Sequence, residues 1–384
     1  MLRAPRILMI GATGRNSGKS TLACRLIERH TRTADVVGVK VTTIRERGIG
    51  ECPRGGEGCG ACSSLEGDWA ITEELGQHPD KDTGRMRTAG ARRVYWLRVC
   101  QEHLEDGFRA LLETVGPDAP VICEATGARQ VVLPGLFLMA LDPGTDDIKP
   151  SAVGVRHLAD REVLFDGTEF DLPLETVQWH NGRWTLRRAA TAIIMAGGRS
   201  TRMGVDKALL AVNGVPLISR IVDQLRPHFA EILISANDPE KLAFLRLPVV
   251  VDREPDQGPL MGISSALAAA QHELCFVTAC DIPELDLDLV AELFRHAKDH
   301  DAVVPRQDEQ KFFEPLFALY RKRFADAADA VLASGRRKIW LAYERCRVAY
   351  VDLDAGSAPF NINTPEDLER YTAGKDRHDF GRSQ

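Results

Sequence analysis

The stretch "AIIMAGGRSTRMGVDKALL", residues 192–210, decides how the second half of the chain is read. An apolar run ends at Met195. The backbone then turns through Gly197 and Gly198, where the missing Cβ lets amide groups approach a ligand closely. Arg199, Arg202 and Lys207 follow and bring the positive charge that a triphosphate demands. A strand–turn connection with incidental surface charge would explain a lone Gly-Gly as well, so the neighbouring chain has to decide.

Downstream, "VTACDIP" sets Asp281 directly after another apolar run. A single carboxylate leaving a buried strand suits Mg²⁺, which takes one or two carboxylates together with substrate phosphates and water. Asp252 ends "VVVD" ahead of a turn from Gly258 to Gly262, and Asn237 follows "ILISA". Any one polar residue at a strand end is ordinary. Gly, Asn, Asp and Asp converging on the carboxyl edge of a parallel sheet, where α/β folds bind ligands, describe a nucleotide–Mg²⁺ site.

Periodicity supports such a sheet on both sides of this stretch. Strand-like runs at 6–10, 35–41, 120–125 and 136–141, and again at 192–196, 231–236, 248–252, 274–281, 301–305 and 348–353, alternate with helical spacing. Leu22, Leu26 and Ile27 share one helical face; after Pro216, so do Leu217, Ile218, Ile221, Val222 and Leu225. Asp-Gly and Asn-Gly turns between residues 150 and 188 suggest hairpins. The expected organisation is an α/β chain of two domains. Residues 1–150 form a nucleotide-binding domain, 151–189 a β-rich extension or linker, 190–371 a second domain, and 372–384 a loose tail.

The chain has 384 residues, 44% hydrophobic and 27% charged, with a net charge of −6. That is long enough for two cores, and the charge balance speaks against nucleic acid as a partner. No apolar run reaches the roughly 18 residues of a membrane span, and "ILMI" near the start is too short for a secretory signal. Nine cysteines without a secretion signal read as reduced thiols, so the expected location is the cytoplasm.

Near the start, "GATGRNSGKST" (11–21) offers a different phosphate loop. Strand and helix flank it as a P-loop requires. Backbone amides around Gly14 and Gly18 would cradle phosphates, Lys19 would reach the β and γ oxygens, and Ser20, followed by Thr21, would hold Mg²⁺. Thr13 stands where the motif expects its first Gly. Glu124 closes "VICE" as a Walker-B carboxylate would.

Taken in order, "MAGGRSTRMGVDKALL" (195–210), "GPLMGISSAL" (258–267), "CDIP" (280–283) and "FNINTPEDL" (360–368) resemble the signatures of the molybdenum cofactor guanylyltransferases (MobA) over residues 190–371. The resemblance implies a Rossmann-like nucleotidyltransferase sheet of the GT-A kind that transfers GMP from GTP to molybdopterin and releases pyrophosphate. By position, Met195, Ala196, Gly197, Gly198, Lys207, Asn237, Asp252 and Asp281 would bind GTP. Lys207 and Asp281 would be catalytic, and Asp281 would ligate Mg²⁺. Met195 replaces the usual Leu. Cytidylyltransferases acting on the same cofactor have a related opening with Ala-Ala-Gly in place of Ala196-Gly197-Gly198, which leaves CTP as the alternative nucleotide.

Over residues 5–150, "VVGVKVTTI", "PDKDTGRMRTAGA" and "VICEATGA" resemble the P-loop GTPases called MobB, though Asp80 replaces a family Gly. This implies GTP binding with slow hydrolysis that helps deliver GTP or molybdopterin to the second domain; the alternative is a P-loop adapter that binds GTP and partner proteins such as molybdenum-insertion proteins and molybdoenzyme chaperones. Cys52, Cys59 and Cys62 have metal-ligand spacing suited to Zn²⁺ or an iron–sulfur centre. Reduced loop cysteines read equally well; a fourth ligand is not evident, with His78, Cys100 and His103 as candidates.

Overall fold

The computed structural model describes residues 1–44, 65–76, 78, 80–142, 148–197, 207–307, 312–354 and 357–380. It divides into two compact units, Met1–Leu186 and Arg187–Gln384. Gly198, Arg199, Arg202, Cys52, Cys59 and Cys62 lie outside the described residues.

In the first unit the strands are β1 Leu2–Ala12, β2 Val37–Ile44, β3 Trp69–Glu73, β4 Arg93–Cys100, β5 Val121–Glu124, β6 Val132–Leu141 and β7 Arg161–Leu164. They form one sheet in the order β3-β4-β2-β5-β1-β6-β7. Every pairing is parallel except that of the edge strand β3 with β4. Ile7–Ile10 and Val121–Cys123 are almost completely buried, as central strands covered on both faces must be. Helices α1 Lys19–His30, α2 Asp82–Thr88, α3 Leu104–Val115 and the short α4 Pro150–Val153 accompany the sheet. Leu22, Leu26 and Ile27 of α1 are buried.

Residues 161–186 complete this unit. The hairpin of β8 Val177–His180 and β9 Arg183–Leu186 turns at Asn181 and Gly182, both with positive φ. It buries Trp184 in the same core as Leu8, Ile10 and Leu26. The edge of His30 meets the Trp184 ring at 4.7 Å.

The second unit holds an eight-stranded sheet. Its members are β10 Arg188–Met195, β13 Phe229–Ser235, β14 Val249–Val250, β15 Leu274–Ala279, β16 Ala302–Gln307, β17 Phe312–Phe313, β18 Phe317–Arg321 and β19 Val348–Asp352; the small hairpin of β11 Ala211–Val212 and β12 Val215–Pro216 stands apart. The order is β14-β13-β10-β15-β18-β16-β17, with β19 on β16. Around it lie α5 Leu217–Leu225, α6 Pro259–Ala269, α7 Leu287–Arg295, α8 Phe324–Ala333, α9 Trp340–Tyr343 and α10 Pro365–Phe380. The five apolar residues expected on one face of α5 are all buried.

The strands read from sequence in this unit all run parallel to one another, but a strand not read from sequence, β18, is inserted among them. β18 runs antiparallel to both β15 and β16. The segment 308–316 between β16 and β18 is too short for the helical crossover that a parallel return needs. Also unforeseen are β4, whose inward Val94, Leu97 and Val99 are buried, and the polar backbone of 372–380, which is helical. Among the described residues no helix is long and apolar enough to cross a membrane.

Candidate active site

Sheet register assembles the site. β10 sits between β13 and β15, and Met195 pairs with Ser235 on one side and Ala279 on the other. Ser235 pairs in turn with Val250. Two residues beyond each of these positions stand Gly197, Asn237, Asp281 and Asp252. The ladder continues past the named strands through Ala196 N–H to the Ser235 carbonyl (2.9 Å), Ala236 N–H to Val250 (3.0 Å) and Cys280 N–H to Met195 (3.0 Å). One row therefore runs along the carboxyl edge, at about 4.8 Å per strand. Asp252, Asn237, Gly197 and Asp281 all line a cavity of about 860 Å³, as do Met195, Ala196 and Lys207.

The polar groups of this row are tied together. Asn237 Nδ2 donates to Asp252 Oδ2 at 2.9 Å, and the Asp252 N–H donates to Asn237 Oδ1 at 3.0 Å. The next residue anchors the loop: Arg253 donates to Ser264 of α6 at 2.7 Å and to Asp329 of α8 at 2.6 Å. Burial works against ionised Asp329, but its hydrogen bonds from Arg253 and Ser264 prevail and hold its carboxyl below the usual range. Under the loop, a Cβ on Gly262 would lie 2.7 Å from Met195 Cε and 2.8 Å from Ser235 Oγ, so any side chain there would have to displace these two as α6 approaches the strand ends.

Lys207 begins a single turn of 3₁₀ helix pinned by the buried Ala208. Its ammonium donates to Asp281 Oδ2 at 3.0 Å and to Asn363 Oδ1 at 2.8 Å. The Ile362 N–H donates to the backbone carbonyl of Asp281 at 2.8 Å, and the buried Ile362 packs with Val212 and Leu217. Asn361 lines the cavity. Asn361 and Asn363 were not singled out from sequence, although their alternation about an apolar residue in "FNINTP" is the signal that would have found them.

Asp281 Oδ1 makes no hydrogen bond to a described residue. One oxygen held by lysine and one open to a cavity suit a hard cation that completes its shell with substrate phosphate and water. Among the described residues no three His, Cys, Asp or Glu side chains gather into a metal cage, for Mg²⁺, Zn²⁺ or a cluster alike. His103, one candidate fourth ligand, lies beside Asp68 (3.7 Å) and Asp106 (3.8 Å).

In the first unit, Gly18 caps α1 with φ +76, and Lys19 and Ser20 open the helix. A Cβ on Gly18 would meet the Phe165 ring at 2.9 Å. The Gly14 carbonyl accepts from Lys149 Nζ at 2.5 Å, and Thr21 accepts from Arg85 at 3.3 Å. Lys19 Nζ lies 3.4 Å from Glu124 Oε2, and Glu124 is 1% exposed. Neither carboxylate oxygen of Glu124 accepts a hydrogen bond from a described group.

A glycine, a lysine–aspartate pair and an amide–carboxylate lock thus share one sheet edge and one cavity. A family model described as the MobA-like NTP transferase domain matches residues 192–348. The molybdenum cofactor guanylyltransferase of Vibrio cholerae serotype O1 is 39% identical over 194 residues, which cover 49% of this chain and 95% of that protein. A probable molybdenum cofactor guanylyltransferase of Carboxydothermus hydrogenoformans is 37% identical, covering 47% of this chain and 93% of the relative. The solved structure of molybdopterin-guanine dinucleotide biosynthesis protein A from Archaeoglobus fulgidus aligns at 26% identity and a TM-score of 0.43, over 49% of this chain and 99% of that one. Through its C-terminal half, the chain belongs to the MobA-like NTP transferase family.

Proposed function

We propose that the second unit transfers GMP from GTP to the terminal phosphate of molybdopterin, yielding the guanine dinucleotide form and pyrophosphate. The observation that carries this reading is the row Asp252, Asn237, Gly197 and Asp281 with Lys207 bonded across its end. Asp252 and Asn237 would hold the nucleoside, and Met195, Ala196, Gly197 and Gly198 would give the triphosphate close backbone approach. The acceptor phosphate is itself the nucleophile, so no Ser or Cys is required. One of its oxygens attacks the α-phosphorus, the bond from that phosphorus to the αβ-bridging oxygen breaks, and pyrophosphate leaves with the electron pair. Lys207 would neutralise charge that grows on the phosphates, an effect strong in a site shielded from water. Asp281 would hold Mg²⁺, which supplies Lewis-acid stabilisation of phosphate oxygens when bound.

For the first unit we propose an accessory GTP site resembling MobB, with Gly14, Gly18, Lys19, Ser20 and Thr21 around the phosphates. Ser20 would hold Mg²⁺ there, and Glu124 would stand behind it. A buried carboxylate with no hydrogen-bond donor is costly unless a cation approaches; Lys19 and an arriving metal-bound water would serve.

The test is transfer of label from GTP, CTP, ATP and UTP to molybdopterin by the purified chain with Mg²⁺. The expected result is GTP-dependent dinucleotide and pyrophosphate. Equal or greater transfer from CTP would overturn the guanine assignment, and no transfer from any nucleotide would overturn the reaction.

A further inference from the structure

The row at the sheet edge does not stop at Asp281. β18 is antiparallel to β15, with Thr278 opposite Phe317. Its beginning, not its end, therefore lies at the carboxyl edge. The Ala279 N–H donates to the Leu316 carbonyl at 3.0 Å, extending the ladder, and continuing that register two further residues sets Glu314 across from Asp281. Glu314 lines the same cavity. The resulting order is Asp252, Asn237, Gly197, Asp281, Glu314, four strand spacings or roughly 19 Å in all.

The turn that carries Glu314 is rigid. Its N–H donates to the Pro305 carbonyl at 3.0 Å, and its carbonyl accepts from Phe317 N–H at 3.0 Å. The Pro315 carbonyl is held at 2.8 Å by the hydroxyl of the buried Tyr320, which bonds that of Tyr343 at 2.9 Å. By contrast the Glu314 side chain has no hydrogen-bond or ion-pair partner among the described residues, and burial raises its pKa. A half-buried carboxylate on a fixed support, left without a donor, is costly in the empty protein and is compensated when a ligand brings one.

We propose that Glu314 recognises the acceptor, its carboxylate taking hydrogen bonds from N–H groups of the acceptor's ring system. This rests on the reading of the site given above, in which Asp252 and Asn237 hold the nucleoside and Lys207 with Asp281 the phosphates. Glu314 then stands beyond the reacting phosphorus, on the side away from the base. A reduced pterin offers several ring N–H donors and an amino group, the complement of a bare carboxylate. Sugar phosphates would offer hydroxyl donors in place of ring N–H groups.

Steady-state transfer by the full chain, with molybdopterin and GTP varied separately and Mg²⁺ titrated, tests the assignment in Glu314→Gln and Glu314→Ala. The expected result is a roughly ten- to hundredfold rise in KM for molybdopterin, smaller in the Gln variant, as follows from losing hydrogen bonds to a charged group. KM for GTP and the Mg²⁺ half-saturation stay as in the wild type. An unchanged KM for molybdopterin in both variants overturns the proposal. So does a rise in the Mg²⁺ requirement with KM for molybdopterin unaltered, which would make Glu314 a metal ligand. A wild-type chain that transfers nothing to molybdopterin sinks the underlying reading, and this assignment with it.

Discussion

The two units each set a lysine beside a carboxylate at the end of a buried strand, and they do so with opposite accessibility. Lys19 meets Glu124 at 3.4 Å with the acid side chain 1% exposed; Lys207 meets Asp281 at 3.0 Å with the acid 19% exposed. Lys19 is the first residue of a helix whose N-terminal dipole aims at the loop, whereas Lys207 sits on one short turn and is shared with Asn363. On the reading proposed above, the first arrangement would grip an anion with backbone, and its acid is buried beside the cation. In the second, the acid faces a cavity, with room for a second substrate to arrive. On that reading a shared pair of residue types would serve holding in one place and chemistry in the other.

The widest separation between the units is expected from the two lysines. Lys207→Ala should lower transfer to molybdopterin by about 10²- to 10³-fold, the usual loss on deleting a preorganised charge-stabilising donor. Lys19→Ala should leave transfer within a few fold while abolishing GTP binding to the first unit, read by equilibrium binding in the Lys207→Ala background. Equal losses of transfer in both variants would end the division of labour.

A smaller effect comes from the glycines. In Gly262→Ala the new methyl must displace Met195 or Ser235, at a cost of about 1–3 kcal/mol in part recovered through helix propensity. KM for GTP in the transfer reaction should rise several-fold. Gly18→Ala combines positive φ with a clash against Phe165, and should weaken nucleotide binding in the first unit with transfer unchanged. Cross-effects of either variant on the other unit's readout would show the two sites to be coupled.

The smallest difference is one of pH. His30 is buried, and burial, helped by the charge of Arg29 and opposed by a hydrogen bond to Val177, lowers its pKa. The neutral ring is thus the folded form, while the unfolded chain takes up a proton near pH 6.5. Its contribution to stability is complete above that value and is lost as pH falls below it toward the folded-state pKa. Urea midpoints followed by tryptophan fluorescence, with Trp184 at 4.7 Å from the ring, should fall between pH 7.5 and 5.5 and flatten in His30→Phe. An identical pH slope in the variant would acquit His30.

Much of this was legible in the chain because parallel strands put their sequence ends, polar after apolar, at one edge. Asn237, Asp252 and Asp281 were each visible as the residue that closes an apolar run. Glu314 obeys the reverse rule: it precedes its strand, and only the antiparallel pairing of β18 brings it to the same edge. For Asn363 the residue had a local signal in "FNINTP" but its partner had none, since nothing there says that Lys207, 156 positions earlier, will bond it. The first unit was read most securely at α1 and least at β4, where aromatic and charged residues on the half-buried face mask the alternation.

The bond between Lys207 and Asn363 has a consequence for the history of each molecule as well as its chemistry. Contacts so distant along the chain close large loops, at an entropic cost that grows slowly with their length. During synthesis the strand edge can be complete while the lysine still lacks one of its anchors, so the site matures only when the C-terminal segment returns. On the proposed reading, a chain cut short of residue 361 would hold the sheet edge while its lysine lacks this anchor.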